Sequence, residues 1–162
     1  MNSDGTYLTG LWFIGSKDSS KHSTNCEEKL IPIFEETIRW LYIYFSGKNP
    51  DFTTKYKINS LTPFRSEVIS IMKEIPFGIT ITYNDIAKEI VQKRGLKKMS
   101  SQAVGGAVGW NPICIIVPCH RVVGSNGSLT GYGGGINNKV QLLINEHNDM
   151  NKFYIPTKGT KL

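Results

Sequence analysis

Residues 82–108 contain two helix signals separated by a basic turn, in the sequence TYNDIAKEIVQKRGLKKMSSQAVGGAV. Thr82 followed by Asp85 fits a capping box, and the apolar residues after it return at helical spacing. Ser100 or Ser101 can cap a second short helix over the apolar residues that follow. Two short helices joined by a turn predict a helix-turn-helix, an arrangement typical of DNA-binding domains.

Three glycines, Gly105, Gly106 and Gly109, stand in the second helix of this motif. Each glycine in a helix interior costs about 1 kcal/mol relative to alanine. Such a helix either packs closely against another helix or presents its bare backbone to a broad surface. The basic turn beside it favours the second reading, with a nucleic-acid groove as the surface.

The net charge of +6 lies entirely in the second half of the chain. Residues 1–81 hold nine basic and nine acidic residues, whereas residues 82–162 hold ten basic and four acidic residues. Between Glu89 and Glu146 the only charged residues are basic, namely Lys93, Arg94, Lys97, Lys98, Arg121 and Lys139. This pattern predicts a surface that binds a polyanion, although a solvated basic face without function has the same composition.

Outside the motif the chain divides into two parts. Residues 1–60 contain a predicted strand, 7–14, a predicted helix and then a polar linker. The apolar face of that helix consists of Leu30, Ile33, Phe34, Thr37, Ile38, Leu41, Tyr42 and Phe45. Residues 61–162 contain several short helices, the first capped by Thr62. We therefore expect an α+β fold, with a small N-terminal sheet-plus-helix domain and a mainly helical domain that carries the helix-turn-helix.

A cysteine with a histidine beside it follows the apolar run 113–117, which is typical of a buried strand. Pro118 ends that run and turns Cys119 out of it. A cysteine thiol has a pKa of about 8.5, and the thiolate is the nucleophile, so His120 and Arg121 are candidate activators. An inert buried cysteine is the alternative reading, and Cys114 fits that description.

Composition and motifs exclude several classes of protein. Three cysteines without framework spacing argue against a disulfide scaffold, and no apolar run is long enough to span a membrane. The N-terminus lacks the features of a secretory signal, so we expect a cytoplasmic protein. His22 and Cys26 are an isolated pair of metal-ligand types, and we predict no metal and no cofactor.

Four segments stand in the order and spacing of one family: residues 103–107, Asn111-Pro112, Pro118 to Gly124, and Gly131-Tyr132-x-Gly134-Gly135. The chain resembles the O6-alkylguanine-DNA alkyltransferases, most specifically over residues 62–148. The resemblance implies a single-turnover repair reaction on double-stranded DNA. A flipped-out O6-alkylguanine, or O4-methylthymine as a second possible lesion, gives its alkyl group to the protein.

The resemblance also implies roles for individual residues. Cys119 is the acceptor, His120 is its base acting through a water, and Glu146 orients His120. Asn111 braces the turn that leads to the active-site segment. Tyr132 lines the pocket, and Lys139 favours departure of the guanine anion.

DNA and base contacts are expected from a second group of residues. By resemblance, Tyr83 contacts the lesion and its neighbouring phosphate, and backbone groups of Val117 and of the loop from Ser128 to Gly133 read the guanine edge. Gln102 stands where many relatives have an arginine that replaces the extruded base. The helix backbone at Ala103, Gly105 and Gly106 and the basic residues Arg94, Lys97, Lys98 and Arg121 complete the predicted DNA-facing set.

Gln102 brings no charge, so weaker duplex binding or slower flipping is one hypothesis, and compensation by the basic segment is the other. A second departure from the family pattern concerns the N-terminus, where the chain begins near a hairpin turn. Either the small sheet has lost an edge strand or the start of the sequence is truncated. Competing functions are a lesion-binding protein without transfer activity and an unrelated cysteine hydrolase. A zinc deaminase is disfavoured, because this sequence does not contain the P-C-x-x-C spacing of that class. We expect a monomer with no membrane partner.

Overall fold

The structure, a computed structural model, describes residues 1–16 and 26–157. These residues contain five α-helices and four short strands. The helices are α1 (Pro32–Phe45), α2 (Pro63–Lys73), α3 (Tyr83–Arg94), α4 (Ser101–Val108) and α5 (Ile136–Asn145). The strands are β1 (Asn2–Ser3), β2 (Leu8–Gly10), β3 (Ile81–Thr82) and β4 (Val122–Val123). The α+β class is confirmed.

The strands form two separate two-stranded sheets. Strands β1 and β2 pair antiparallel as an N-terminal hairpin. Strands β3 and β4 pair parallel, with Ile81 opposite Val122 and Thr82 opposite Val123. The second pairing places the start of α3 beside the segment that carries Cys119.

Helices α3 and α4 form the predicted helix-turn-helix. The Thr82 hydroxyl accepts a hydrogen bond from the Asp85 backbone N–H at 3.1 Å, and the Asp85 carboxylate accepts one from the Thr82 N–H at 2.9 Å. Gly95, in the left-handed region at φ 63°, ends α3, and the Ser100 hydroxyl caps α4. Both helices therefore begin where their local signals predict.

One predicted strand is shorter than expected, and the other is absent. The N-terminal strand covers Leu8–Gly10 rather than residues 7–14, and Leu11 makes only a single bridge to Ile113. The apolar run 113–117 is a series of tight turns with Ile115 at φ 71°. The Asn111 side chain bonds to backbone groups of this run, taking the place that a neighbouring strand would have.

The predicted apolar face of α1 is confirmed in part. Ile33 and Thr37 of that face are buried, but Leu30, Tyr42 and Phe45 are exposed, and the other buried side chains of the helix are Trp40 and Tyr44. The two buried aromatic residues have polar tips with internal partners, since the Trp40 indole donates to the Phe52 carbonyl at 2.9 Å and the Tyr44 hydroxyl donates to Glu146 at 2.8 Å.

The largest apolar cluster joins both predicted parts of the chain. Leu8, Leu11 and Ile33 from the N-terminal part pack with buried residues of α2, α3 and α4. The Leu11 N–H donates to the Pro112 carbonyl at 2.8 Å, and the Cys114 N–H donates to the Leu11 carbonyl at 2.9 Å. The N-terminal part is therefore packed directly against the segment that precedes Cys119.

Thr82→Ala removes the hydroxyl half of the capping box at α3. We expect the free energy of unfolding to fall by about 1 kcal/mol, the usual effect of losing such a cap. Urea denaturation of the two proteins measures the difference. Thr53→Ala, at an exposed threonine, is the matched control and should change stability by less than about 0.5 kcal/mol. Equal stability of Thr82→Ala and wild type would contradict the prediction.

Candidate active site

Cys119 begins a single 3₁₀ turn, Cys119–Arg121, between Pro118 and β4. Its side chain is 5% exposed and lies at the wall of a small pocket. The other residues that line this pocket are Val108, Gly109, Asn111, Cys114, Gly131, Tyr132 and Gly133. The cysteine is thus reached through an opening between the end of α4 and the glycine-rich loop before α5.

Asn111 holds the turn that presents Cys119. Its buried amide group donates to the Val117 carbonyl at 2.8 Å, to the Ile113 carbonyl at 3.3 Å and to the Cys119 sulfur at 3.1 Å. Its side-chain oxygen accepts from the Ile113 N–H at 3.0 Å. One side chain therefore fixes the backbone on both sides of the turn and gives the sulfur a hydrogen-bond donor, which favours the thiolate.

His120 and Glu146 form a fully buried pair next to Cys119. The His120 Nε2 atom lies 2.7 Å from the Glu146 Oε1 atom. Glu146 is the residue that ends α5, so a carboxylate 26 positions away in sequence reaches the histidine when α5 packs against the Cys119 turn. The structure therefore brings together the three residues that the resemblance groups.

The Glu146 carboxylate accepts further hydrogen bonds from distant segments. Arg121 Nε donates to Oε2 at 2.8 Å, and Arg121 Nη2 donates to Oε1 at 2.9 Å. The Gly78 N–H donates to Oε2 at 3.1 Å, and the Tyr44 hydroxyl donates to Oε1 at 2.8 Å. Burial alone would raise the pKa of Glu146, but the bonds from His120 and Arg121 outweigh it and lower that pKa to about 2. The carboxylate is therefore ionised.

The ionised carboxylate fixes the tautomer of His120. Burial lowers the pKa of His120, with Glu146 opposing the shift, so the imidazole is neutral. A neutral imidazole beside a carboxylate oxygen donates from that nitrogen, so the proton is on Nε2 and the lone pair is on Nδ1. Nδ1 is buried without a hydrogen-bond partner in the described part of the chain. It is consequently the atom available as a base.

Two tyrosines and a lysine lie near enough to Cys119 to interact with it electrostatically, and one of them, Tyr132, also lines the pocket. Burial, followed by the thiols of Cys119 and Cys114, raises the pKa of Tyr132 well above its usual value. Burial and then Cys119 raise the pKa of Tyr83 to about 12. Lys139 donates to the Val122 carbonyl at 2.7 Å and the Thr130 carbonyl at 3.4 Å, and burial lowers its pKa to about 8.

The outer face of α4 is open, as its glycines predicted. Gln102, Ala103 and Gly106 are exposed, and a side-chain atom added at Gly106 would meet nothing within 4 Å. Gly105 is half-buried, and such an atom there would lie 3.9 Å from the Tyr83 ring. Lys97 and Lys98 are exposed in the turn that precedes α4. A broad ligand can therefore approach the helix backbone closely beside two cations.

Two basic residues of the predicted DNA-facing set have other partners. Arg121 is 8% exposed and its guanidinium is bonded to Glu146 and to the Ile75 carbonyl, so its assignment to the DNA surface is wrong. The Arg94 guanidinium forms an ion pair with Glu67 at 2.7 Å but remains at the surface. Counting charges in the sequence does not distinguish a buried cation from a surface one.

Two predicted readers of the guanine edge are also corrected. The Val117 carbonyl already accepts from Asn111 at 2.8 Å and from the Cys119 N–H at 2.8 Å. The Ser128 carbonyl accepts from the Gly124 N–H at 2.7 Å, and the Ser128 N–H donates to Ser125. Neither residue lines the pocket, whereas Gly133 does. The part of the loop that faces Cys119 is therefore 131–133.

Sequence reasoning missed Tyr44, Gly78 and the structural role of Arg121, all of which bond to Glu146. Only the polar tip of Tyr44 on an otherwise apolar helix could have indicated an internal partner. Within residues 1–16 and 26–157, no group of three metal-ligand side chains is arranged to hold an ion. His22 lies outside those residues. None of the described helices has the length and apolar character that a bilayer span requires.

A helix-turn-helix with a bare outer face, placed next to a buried cysteine, histidine and glutamate, defines a class of DNA-binding proteins with an activated thiol. Residues 63–148 match the family model described as 6-O-methylguanine DNA methyltransferase, DNA binding domain. The chain therefore belongs to the methylated-DNA–protein-cysteine methyltransferase family.

Individual relatives agree with this assignment. The inducible methylated-DNA–protein-cysteine methyltransferase of Bacillus subtilis is 40% identical over 163 residues, which cover 92% of this chain and 86% of that protein. The methylated-DNA–protein-cysteine methyltransferase of Methanosarcina acetivorans is 46% identical over 110 residues, 68% of this chain and 67% of that protein. The crystal structure of Mycobacterium tuberculosis OGT in complex with DNA superposes with a TM-score of 0.74 at 36% identity, covering 90% and 83% of the chains.

Lys139→Met tests the burial of the lysine. The folded pKa of about 8 lies below the value of 10.5 for an unperturbed lysine. Between about pH 8 and pH 10.5 the unfolded chain therefore binds more protons than the folded chain. The free energy of unfolding of wild type should rise relative to that of Lys139→Met as the pH increases across this window. The gain should be lost as the pH falls back through about 8. Urea unfolding at several pH values measures the difference. Lys152→Met, at an exposed lysine, is the matched control. A pH-independent difference for Lys139→Met would contradict the prediction.

Proposed function

We propose that this protein repairs DNA by moving the alkyl group of O6-alkylguanine onto Cys119 in a single turnover. The observation that carries the proposal is the buried arrangement of Cys119, His120 and Glu146 next to a helix-turn-helix with an open face. A cysteine beside a histidine that a third group orients is the general form of an activated nucleophile. Membership of the family supplies the substrate class.

The first step is activation of the thiol. The Cys119 proton passes through a water molecule to His120 Nδ1, whose lone pair is left available because Nε2 donates to Glu146. Glu146 stabilises the imidazolium that forms, and Arg121 keeps the carboxylate in place. The Asn111 amide, 3.1 Å from the sulfur, stabilises the thiolate.

The second step is displacement at the alkyl carbon. The Cys119 sulfur forms a bond to that carbon while the bond between carbon and the guanine O6 atom breaks, and its electron pair stays on the guanine. Lys139 is the nearby cation that stabilises the departing anion, and Tyr83 and Tyr132 are the neighbouring hydroxyl donors. The thioether formed on Cys119 is stable and the thiol is not regenerated, so each protein molecule reacts once.

Delivery of the base depends on α4 and the turn before it. The exposed backbone of α4 lies against the DNA groove, Lys97 and Lys98 contact phosphates, and Gln102 occupies the gap in the base stack. Phosphate contacts of this kind position a protein without reading sequence. The flipped base then enters the pocket, where the backbone of 131–133 contacts its edge.

We further infer that residues 1–60 and 61–162 are two domains that pack against each other, and that the protein acts in the cytoplasm as a monomer. O4-methylthymine is a second candidate lesion. The pocket wall that would discriminate between lesions is the glycine-rich segment 131–135.

The decisive test is the mass of the intact protein after incubation with duplex DNA that carries O6-methylguanine. We expect a gain of one methyl group per molecule, mapped to Cys119 by peptide analysis. Cys119→Ser should show no gain. Cys114→Ser is the matched control, since it alters the other cysteine that lines the pocket, and it should still be methylated.

Three other outcomes would each refute the proposal. DNA binding without a mass change would indicate a lesion-binding protein. Absence of both binding and transfer would favour an unrelated thiol activity. Methylation of Cys119→Ser at an undiminished level would place the acceptor elsewhere.

Gln102→Arg tests whether the uncharged glutamine limits base delivery. We expect duplex affinity to rise by about tenfold, because a charge-assisted contact contributes roughly 1.5 kcal/mol, and the transfer rate to rise with it. Fluorescence anisotropy and rapid-quench kinetics at fixed salt measure the two quantities. Gln141→Arg adds the same charge at an exposed position on α5 and should leave both unchanged. Identical values for Gln102→Arg and wild type would show that the basic turn already compensates.

A further inference from the structure

Tyr44 is a fully buried tyrosine of α1 whose hydroxyl reaches the histidine and glutamate of the site. The hydroxyl oxygen lies 2.8 Å from Glu146 Oε1 and 3.2 Å from His120 Nε2. Helix α1 belongs to the N-terminal part of the chain, and Tyr44 is not among the residues that line the pocket. It therefore contacts the His120–Glu146 pair without lining the pocket beside Cys119.

The direction of these hydrogen bonds follows from the charges. Burial, followed by the charge of Glu146, raises the pKa of Tyr44, so the hydroxyl keeps its proton. An ionised carboxylate only accepts, so the hydroxyl donates to Glu146 Oε1. The hydroxyl oxygen then presents its lone pairs to His120 Nε2, which also carries a proton. Tyr44 and Glu146 thus both favour the tautomer with the proton on Nε2.

We propose that Tyr44 is a positioning residue for alkyl transfer, because its hydroxyl orients Glu146 and holds His120 as the tautomer whose Nδ1 accepts the thiol proton. The inference rests on the proposed function of Cys119 and deepens it. It makes the N-terminal part of the chain a contributor to reactivity and not only to packing.

The hydroxyl also limits how strongly Glu146 stabilises a protonated histidine. The ionisable groups that face His120 are Glu146 and Lys139 from α5, Arg121 from its own turn, and Tyr44 from α1. A donor on Oε1 withdraws part of the negative charge that would otherwise act on the imidazole. Removing that donor should therefore raise the pKa of His120 and leave less of the neutral base at a given pH.

The position of Tyr44 does not depend on its hydroxyl. The ring stacks on Trp40 with centroids 5.4 Å apart and meets the edge of Phe77 at 6.0 Å. The Tyr44 carbonyl accepts from the Asn145 side chain at 2.7 Å, which ties the end of α1 to the end of α5. Tyr44→Phe keeps all of these contacts and removes only the oxygen.

The test compares Tyr44→Phe with Tyr42→Phe, the same chemical change at a tyrosine of α1 that is 76% exposed. Single-turnover methyl transfer from O6-methylguanine duplex DNA is followed as a function of pH. For Tyr44→Phe we expect the rate constant near pH 7 to fall about tenfold, a part of the roughly 100- to 10,000-fold that a positioned base contributes. We also expect the acidic limb of the pH profile to move to higher pH. Tyr42→Phe should coincide with wild type.

A Tyr44→Phe profile that coincides with wild type would overturn the inference. A lower melting temperature or a smaller reactive fraction with an unmoved acidic limb would also overturn it, since that is the mark of packing alone. A wild-type protein that gains no methyl group would refute the proposed function itself, a result that this comparison distinguishes from the others.

A measurement on the wild type keeps the inference testable even if Tyr44→Phe fails to fold. Nitrogen-15 histidine spectra should show His120 neutral with its proton on Nε2. The opposite tautomer would overturn the inference.

Discussion

Glu146 is a carboxylate with 1% exposure, and segments far apart in the chain meet to satisfy its two oxygens. An ionised carboxylate removed from water is very costly unless it is paired and hydrogen-bonded. Arg121 supplies the opposite charge, and His120, Tyr44 and the Gly78 N–H supply the remaining donors. These donors come from α1, from the loop before β3 and from the Cys119 turn. The contacts that satisfy Glu146 therefore also hold these segments together.

Asn111 holds backbone groups together by hydrogen bonds, as Glu146 does with side chains from separate segments. The run 113–117 is apolar enough to form a buried strand, yet Asn111 bonds to its N–H and carbonyl groups instead. The chain can then turn tightly, with Ile115 in the left-handed region, and present Cys119 at the pocket. A side chain that replaces a strand neighbour also reaches the sulfur, so the geometry of the turn and the environment of the thiol are set together.

The features that could be predicted from the sequence are those whose partners lie within a few residues. Thr82 and Asp85 cap α3, and Ser100 caps α4, through contacts that the local sequence contains in full. Cys119 and His120 are neighbours in the sequence, but only the family resemblance adds Glu146 to them, because it lies 26 positions after His120. Tyr44 could not be found, since its partner is 102 residues away and hydrophobic spacing gives Leu30, Tyr42 and Phe45 equal weight. Arg121 was misplaced because a count of charges carries no information about burial.

Lys139 shows how the buried charges match the chemistry. Arg121 is balanced by Glu146, whereas the Lys139 ammonium bonds to the neutral carbonyls of Val122 and Thr130. Burial lowers its pKa, and Cys119 is the group that opposes this shift. The pocket thus has an excess of positive charge until an anion forms. In the proposed mechanism the thiolate is the first such anion and the displaced guanine is the second, so one cation would stabilise the charge at both the start and the end of the transfer. The cations proposed to contact DNA, Lys97 and Lys98, are separate from this lysine and are exposed in the turn before α4.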